Sequence, residues 1–160
     1  MPVHSIGTPQ EVFDHPANLF VAGFIGTPQM NFINCSLVAK GDDVYCEFGD
    51  FKFKLPAEKA TNPAIKDYIG KEVIAGIRPE CVFDDPEKIN MLPDSTIETF
   101  VEVTELMGAE IYLYLLAGEQ SLVARVSARS TARTGDTIKV AFDTSRVHLF
   151  DKDTERCILH

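Results

Sequence analysis

From Met30 onward the chain consists of short segments in which apolar and polar residues alternate, each closed by a glycine or a turn-forming pair. That period of two restricts the fold to strands, and the spacing of the turns restricts the strands to a small barrel or sandwich. Ile33, Cys35 and Leu37 alternate with Phe32, Asn34 and Ser36. Gly41-Asp42-Asp43 predicts a hairpin, and Phe48-Gly49-Asp50-Phe51 a tighter one with glycine at the first turn position. Phe51, Phe53 and Leu55 then share a face, with Lys52 and Lys54 opposite. Asn62-Pro63 opens a short helix to Tyr68, ended by Gly70, and Glu72 to Ile77 is a strand. Residues 84–94 are polar, hold two prolines, and predict a loop with one helical turn after Pro86. Further strands are expected at 96–107, 111–117, 120–127, 137–143 and 146–150, punctuated by Gly108, Gly118 and Gly135-Asp136. The pattern predicts a mainly β chain of two barrel-like lobes.

Upstream the period is helical. Thr8, Pro9 and Glu11 make a capping box, and Pro16 halts that helix near His15. A second start at Pro16 carries Leu19, Phe20, Gly23 and Phe24 at helical spacing before Gly26-Thr27-Pro28 ends it. Two such short helices cannot build a core alone, so they read as the last piece of something larger.

Charge narrows the function. The chain of 160 residues has 24 acidic and 15 basic side chains, a formal net charge of −9. Nucleic-acid binding draws its affinity from Lys and Arg on phosphates. The sequence has no Lys/Arg cluster, and Arg125, Arg129 and Arg133 are spread along one segment as a solvated face, so nucleic acid is not an expected partner. Cys35, Cys46, Cys81 and Cys157 form no CxxC pair and lie in apolar stretches, the pattern of free buried thiols in a reducing compartment. The first 15 residues lack the apolar stretch of a signal peptide. The longest apolar run, Ile111 to Ala117, is far shorter than the roughly 20 residues a bilayer span needs. No direct membrane insertion is expected, and any membrane association goes through a partner.

Four motifs follow in order: FVAGFIG at Phe20 to Gly26 with MNF at Met30 to Phe32, GIRPE at Gly76 to Glu80, VTELMGAE at Val103 to Glu110, and HLFD at His148 to Asp151. Read physically, Gly76 permits close backbone approach, Pro79 holds Arg78 extended, and Glu80 is placed to reach Arg78 or a neighbouring loop. His148 reads as a packed, hydrogen-bonded residue rather than a base. In this order the motifs resemble the C-terminal part of the ATP-binding subunits of carbohydrate-importing ABC transporters of the maltose-importer type, across essentially the whole chain. In that family GIRPE is commonly followed by His or Asp, where this chain has Cys81.

The resemblance implies two OB-like β-barrel lobes, a TOBE-type regulatory region at 27–160, and, at 1–26, two short helices forming the C-terminal edge and hinge of an ATPase domain. It implies a regulatory and dimerising role in an importer of a sugar, polyol or glycerol phosphate. The implied partners are a second regulatory domain, the ATPase domain, permease subunits and a regulatory protein. The implied location is the cytoplasmic face of the membrane, reached through the permease. Phe32, Gly76, Arg78, Pro79, Glu80, Gly108, Glu110 and His148 are the motif residues expected at contacts.

The chain opens at Met1 a few residues before the first motif, which leaves no room for a nucleotide-binding core. Its one Gly-Lys, Gly70-Lys71, is followed by Glu72 and lacks the phosphate-cradling glycine loop. No catalysis, metal or cofactor is therefore expected of this chain, with ATP and Mg belonging to the parent subunit. The alternative is a small-ligand or oxyanion sensor of the molybdate type, with Ser127, Ser130 and Thr131 as donors.

Overall fold

The computed structural model describes residues 28–160 together with Asn18. The two helices expected upstream, the Phe20–Phe24 stripe and the expected hinge lie outside the described residues.

The described strands form two sheets. The first has six strands: β1 (Asn31–Lys40), β2 (Asp43–Phe48), β3 (Phe51–Lys54), β4 (Glu72–Ile77), β10 (His148–Asp151) and β11 (Cys157–Leu159). Their order is β11-β10-β4-β1-β2-β3. The second has five: β5 (Val82–Phe83), β6 (Thr96–Met107), β7 (Glu110–Ala117), β8 (Gln120–Ser127) and β9 (Thr137–Phe142), in the order β5-β9-β6-β7-β8. All pairings are antiparallel, and tight turns join β1 to β2, β2 to β3, β6 to β7 and β7 to β8.

The turns explain the pairing. Gly41 (φ 64) and Gly49 (φ 58) take the left-handed conformation that turns β1 into β2 and β2 into β3. Asn62 accepts a hydrogen bond from the Ala64 N–H and caps the 3₁₀ turn Pro63–Tyr68, and Asp85 caps helix α2 (Pro86–Met91) by accepting from Glu87 N–H. The one-turn helix α1 (Ala57–Ala60) after Pro56 was not anticipated; four residues carry too little periodicity. For the same reason the sequence did not reveal β5, of two residues, or β11, of three. The expected strand at 146–150 starts later, because Asp143 caps a 3₁₀ turn over Thr144–Arg146 before β10 begins at His148.

The two sheets share one core. Ile33, Leu37, Phe53 and Val73 of the first pack with Val101, Leu113, Leu122 and Phe142 of the second, and the Phe53 and Phe142 rings lie 5.4 Å apart. The split is not sequential: after the second sheet is complete, β10 returns to pair with β4 and β11 pairs with β10. The C-terminal segment thus finishes the sheet that the N-terminal half began.

Candidate functional site

Three of the expected residues stand in one register row. Phe32 of β1 lies opposite Gly76 of β4, and His148 of β10 lies opposite Gly76 on its other side. A Cβ on Gly76 would sit 2.5 Å from Met30 Sδ and 2.9 Å from Phe150 Cε2, so only glycine lets these two side chains close over the sheet. Phe32 meets Phe150 edge to face at 6.1 Å. The His148 ring lies 6.4 Å from Phe150 and 5.7 Å from His160 and is buried, in keeping with a packing role. The MNF and HLFD motifs and the glycine of GIRPE therefore make one apolar layer on the face of the six-stranded sheet away from the shared core.

Asn31, read from the sequence only as a strand opener, ties the sheets together. Its side-chain amide donates to Val123 carbonyl at 2.9 Å and its carbonyl accepts from Val123 N–H at 2.8 Å, so it pairs with edge strand β8 as a strand residue would. Gln120 Nε2 adds a bond to the Phe32 carbonyl at 3.1 Å.

The rest of GIRPE departs from expectation. Arg78 is extended ahead of Pro79, as that proline demands, but it is buried. Glu80 lies in the 3₁₀ turn Pro79–Cys81, half-exposed, and its ion-pair partner is Arg125 of β8 at 3.6 Å instead of Arg78. The same guanidinium reaches Glu110 of β7, with Nε 3.3 Å from the carboxylate. Arg125, assigned above to a solvated face, is thus the cation on which Glu80 and Glu110 converge. Its alternation with Ala124 and Val126 puts it on the outer face of β8. The carboxylates that meet it come from residues 45 and 15 positions earlier in the chain, which no local pattern reveals. Gly108 takes the left-handed turn (φ 66) between β6 and β7 that brings Glu110 to this place.

Burial pushes the Cys81 and Cys157 thiols up to about 11. Cys46 is raised well above the usual thiol value, first by its hydrogen bond with Cys35 and then by burial. Three of the four cysteines are buried as expected and Cys157 is half-buried. Ser130, a candidate oxyanion donor, gives its hydroxyl to the Asp84 carboxylate, which places negative charge beside the expected anion site. Among the described residues no group of three or more His, Cys, Asp or Glu could hold a metal ion, and no helix is long and apolar enough to cross a membrane.

The second candidate surface is apolar. A bulge at Val101–Val103 shifts the β6 register against β7. Beyond it Val103 and Leu106 are 51% and 71% exposed, with Met107 at 45% and, before the bulge, Phe100 at 44%. Phe100 pairs across to the half-buried Leu116 and Val103 to the half-buried Tyr114 on the outer face, whereas Leu106 pairs with Ile111 on the opposite face, so the hairpin end is apolar on both sides. Large apolar residues gathered on one hairpin mark a contact surface more often than singly scattered ones.

Comparison with known proteins accounts for this architecture. The MalK OB fold domain family matches residues 26–82 and the TOBE domain family residues 75–150. The oligosaccharides import ATP-binding protein MsmX of Bacillus subtilis is 40% identical over 96% of this chain and 41% of its own length. The trehalose/maltose import ATP-binding protein MalK of Thermococcus litoralis is 36% identical over 98% of this chain and 41% of its own. The multiple sugar-binding transport ATP-binding protein MsmK of Streptococcus mutans is 37% identical over the same shares. The chain therefore spans about two-fifths of the length of these relatives. A solved structure of the cytoplasmic molybdate-binding protein ModG with molybdate bound superposes with a TM-score of 0.57 at 17% identity, over 78% of this chain and 96% of that one, a likeness of fold alone. This chain therefore pairs a MalK-type OB fold domain with a TOBE domain, and its homologues are ATP-binding proteins of sugar ABC importers.

Proposed function

We propose that this chain is the C-terminal regulatory and dimerisation region of the ATP-binding subunit of a sugar-type ABC importer. The observation that carries the reading is similarity to sugar-import ATP-binding proteins along 96–98% of the chain, unbroken across both domains. In this reading ATP and Mg are bound by the rest of the subunit, and the permease subunits hold it at the membrane. The region works mechanically. A second copy or a regulatory protein that favours one arrangement of the subunits shifts the ATPase cycle by its differential affinity for that arrangement.

The exposed apolar end of the β6–β7 hairpin is the surface we assign to the second copy. Sedimentation equilibrium is expected to give a concentration-dependent monomer–dimer mixture, and Val103→Asp with Leu106→Asp to give monomer without loss of folded signal. Removal of residues 1–25 is expected to leave the equilibrium in place; a strictly monomeric truncation would move the contact to the N-terminal segment. The transport role is tested by a chimera in which this chain replaces the matching part of Bacillus subtilis MsmX. Oligosaccharide uptake should be restored. A chimera that folds and hydrolyses ATP yet supports no uptake rejects the reading.

A further inference from the structure

A cleft of about 410 Å³ opens between the end of the first sheet and the segment that leads into β6. One wall is the end of β3 with α1, and the other is the end of α2 with the 3₁₀ turn Pro93–Ser95. Volumes of this order accommodate small organic ligands. Lys54 stands in the cleft, 3.5 Å from the Asp43 carboxylate and 4.0 Å from that of Asp94, so one ammonium joins a carboxylate from each sheet's side. Ser95 and Thr144 line it from the second side; both residues are buried, and among the described residues neither hydroxyl is committed to a hydrogen bond. Leu92 and Pro56 add apolar wall, and Met91, 74% exposed, stands at the rim.

We propose that this cleft binds a neutral, polyhydroxylated molecule of mono- or disaccharide size. The lining selects that class by elimination and by fit. Asp42, Asp43 and Asp94 outnumber Lys54, so an anion is repelled. Lys54 already sits between carboxylates where a bound cation would go. What remains is a mixture of acceptors (carboxylates), donors (ammonium) and groups that do both (hydroxyls), which matches sugar hydroxyls that must donate and accept at once. The Met91–Leu92–Pro56 surface suits the C–H face of a sugar ring. Past Pro93 the surface continues into a second cavity of about 490 Å³ whose lining includes Glu98 and Lys139, again an acceptor beside a donor, so there is room for a second ring. A molecule seated here touches the end of the first sheet and the α2–Pro93–Ser95 segment that leads into β6, and would fix the two against each other. The site stands on its own lining and does not depend on the transport reading.

Sugars raise melting temperatures nonspecifically by exclusion from protein surfaces, so thermal shift is the wrong readout. Two-dimensional amide NMR of the full chain, titrated with maltose, trehalose and sorbitol, is the right one. Saturable shifts at millimolar ligand, centred on Lys54, Ser95 and Thr144, are expected from at least one of the three. Asp94 is largely exposed, so Asp94→Asn keeps the fold. It and Lys54→Met should weaken binding roughly tenfold, while Glu102→Gln leaves it unchanged. Shifts that grow linearly without saturation, or that centre elsewhere, overturn the proposal. So does a saturable response in the cleft to inorganic phosphate or spermidine with none to the sugars. Because the assay needs no partner or nucleotide, a negative result rejects the cleft site and leaves the importer reading to its own test.

Discussion

The six-stranded sheet buries apolar residues on both faces: Ile33, Leu37 and Val73 against the shared core, and Met30, Phe150 and their neighbours Phe32 and Ile74 on the other side. The five-stranded sheet buries Val101, Leu113 and Leu122 on one face but leaves Phe100, Val103, Leu106 and Met107 in solvent along β6. Exposed large hydrophobics among the described residues all fall between 91 and 107. Where the six-stranded sheet is covered on both faces, around Gly76, its motifs serve packing. A sheet with an uncovered apolar hairpin costs solubility unless something covers it. Motifs of one family thus do two jobs here, and the difference shows in burial before any function is assigned.

That contrast can be broken by substitution. Gly76→Val should have the largest effect, about 3 kcal/mol of lost stability in urea unfolding, because its side chain must displace Met30 and Phe150 in a closed layer. An unchanged midpoint would show that the layer yields easily and that the contrast is overstated. Asn31→Ala comes next, at about 2 kcal/mol, since it strips partners from the Val123 N–H and carbonyl on the edge of β8. A loss near zero would mean that water substitutes and that the latch between the sheets is dispensable.

Arg125→Met should cost less, about 1 kcal/mol or under, because the pairs with Glu80 and Glu110 lie where solvent screens them. If it costs as much as Asn31→Ala, the bridge is structural rather than a half-exposed contact. The smallest effect concerns acid. The backbone N–H of Thr154, the Tyr68 hydroxyl and the Asp153 N–H all donate to the Asp151 carboxylate and hold it at about 2. A carboxyl depressed by folding stabilises the native state above its unfolded value, about 4, and that stability disappears as pH falls towards 2. Tyr68→Phe should therefore narrow the difference in stability between pH 6 and pH 2.5. An unaltered acid limb would show that the backbone donors alone hold Asp151.

Much of the fold was legible locally because strands and turns announce themselves over a few residues. The segments 72–77, 96–107 and 120–127 came out as β4, β6 and β8 at their expected bounds, fixed by alternation and by Gly70, Gly108 and Gly118 at left-handed φ. The resemblance rested on motif order, which survives without knowledge of contacts. The site was less legible. Gly76 was read correctly as a place of close approach, since a glycine within a strand pattern has few other reasons to be there. The ion-pair partner of Glu80 could not be read locally: Arg78, the nearest cation in sequence, is buried, while Arg125 arrives from β8.

The sequence by itself determined the longer strands, the tight turns between them and which face of most of those strands is apolar, because those properties depend on spacing of two and on residues that tolerate a left-handed turn. Only the tertiary structure decided that β10 and β11 return to the first sheet, that Asn31 pairs with the edge of β8, and that Lys54 faces Asp94 across a cleft. Each of these joins residues more than 35 positions apart, and such contacts are settled by how whole sheets fit over one shared core, not by any pattern a short stretch of chain can carry.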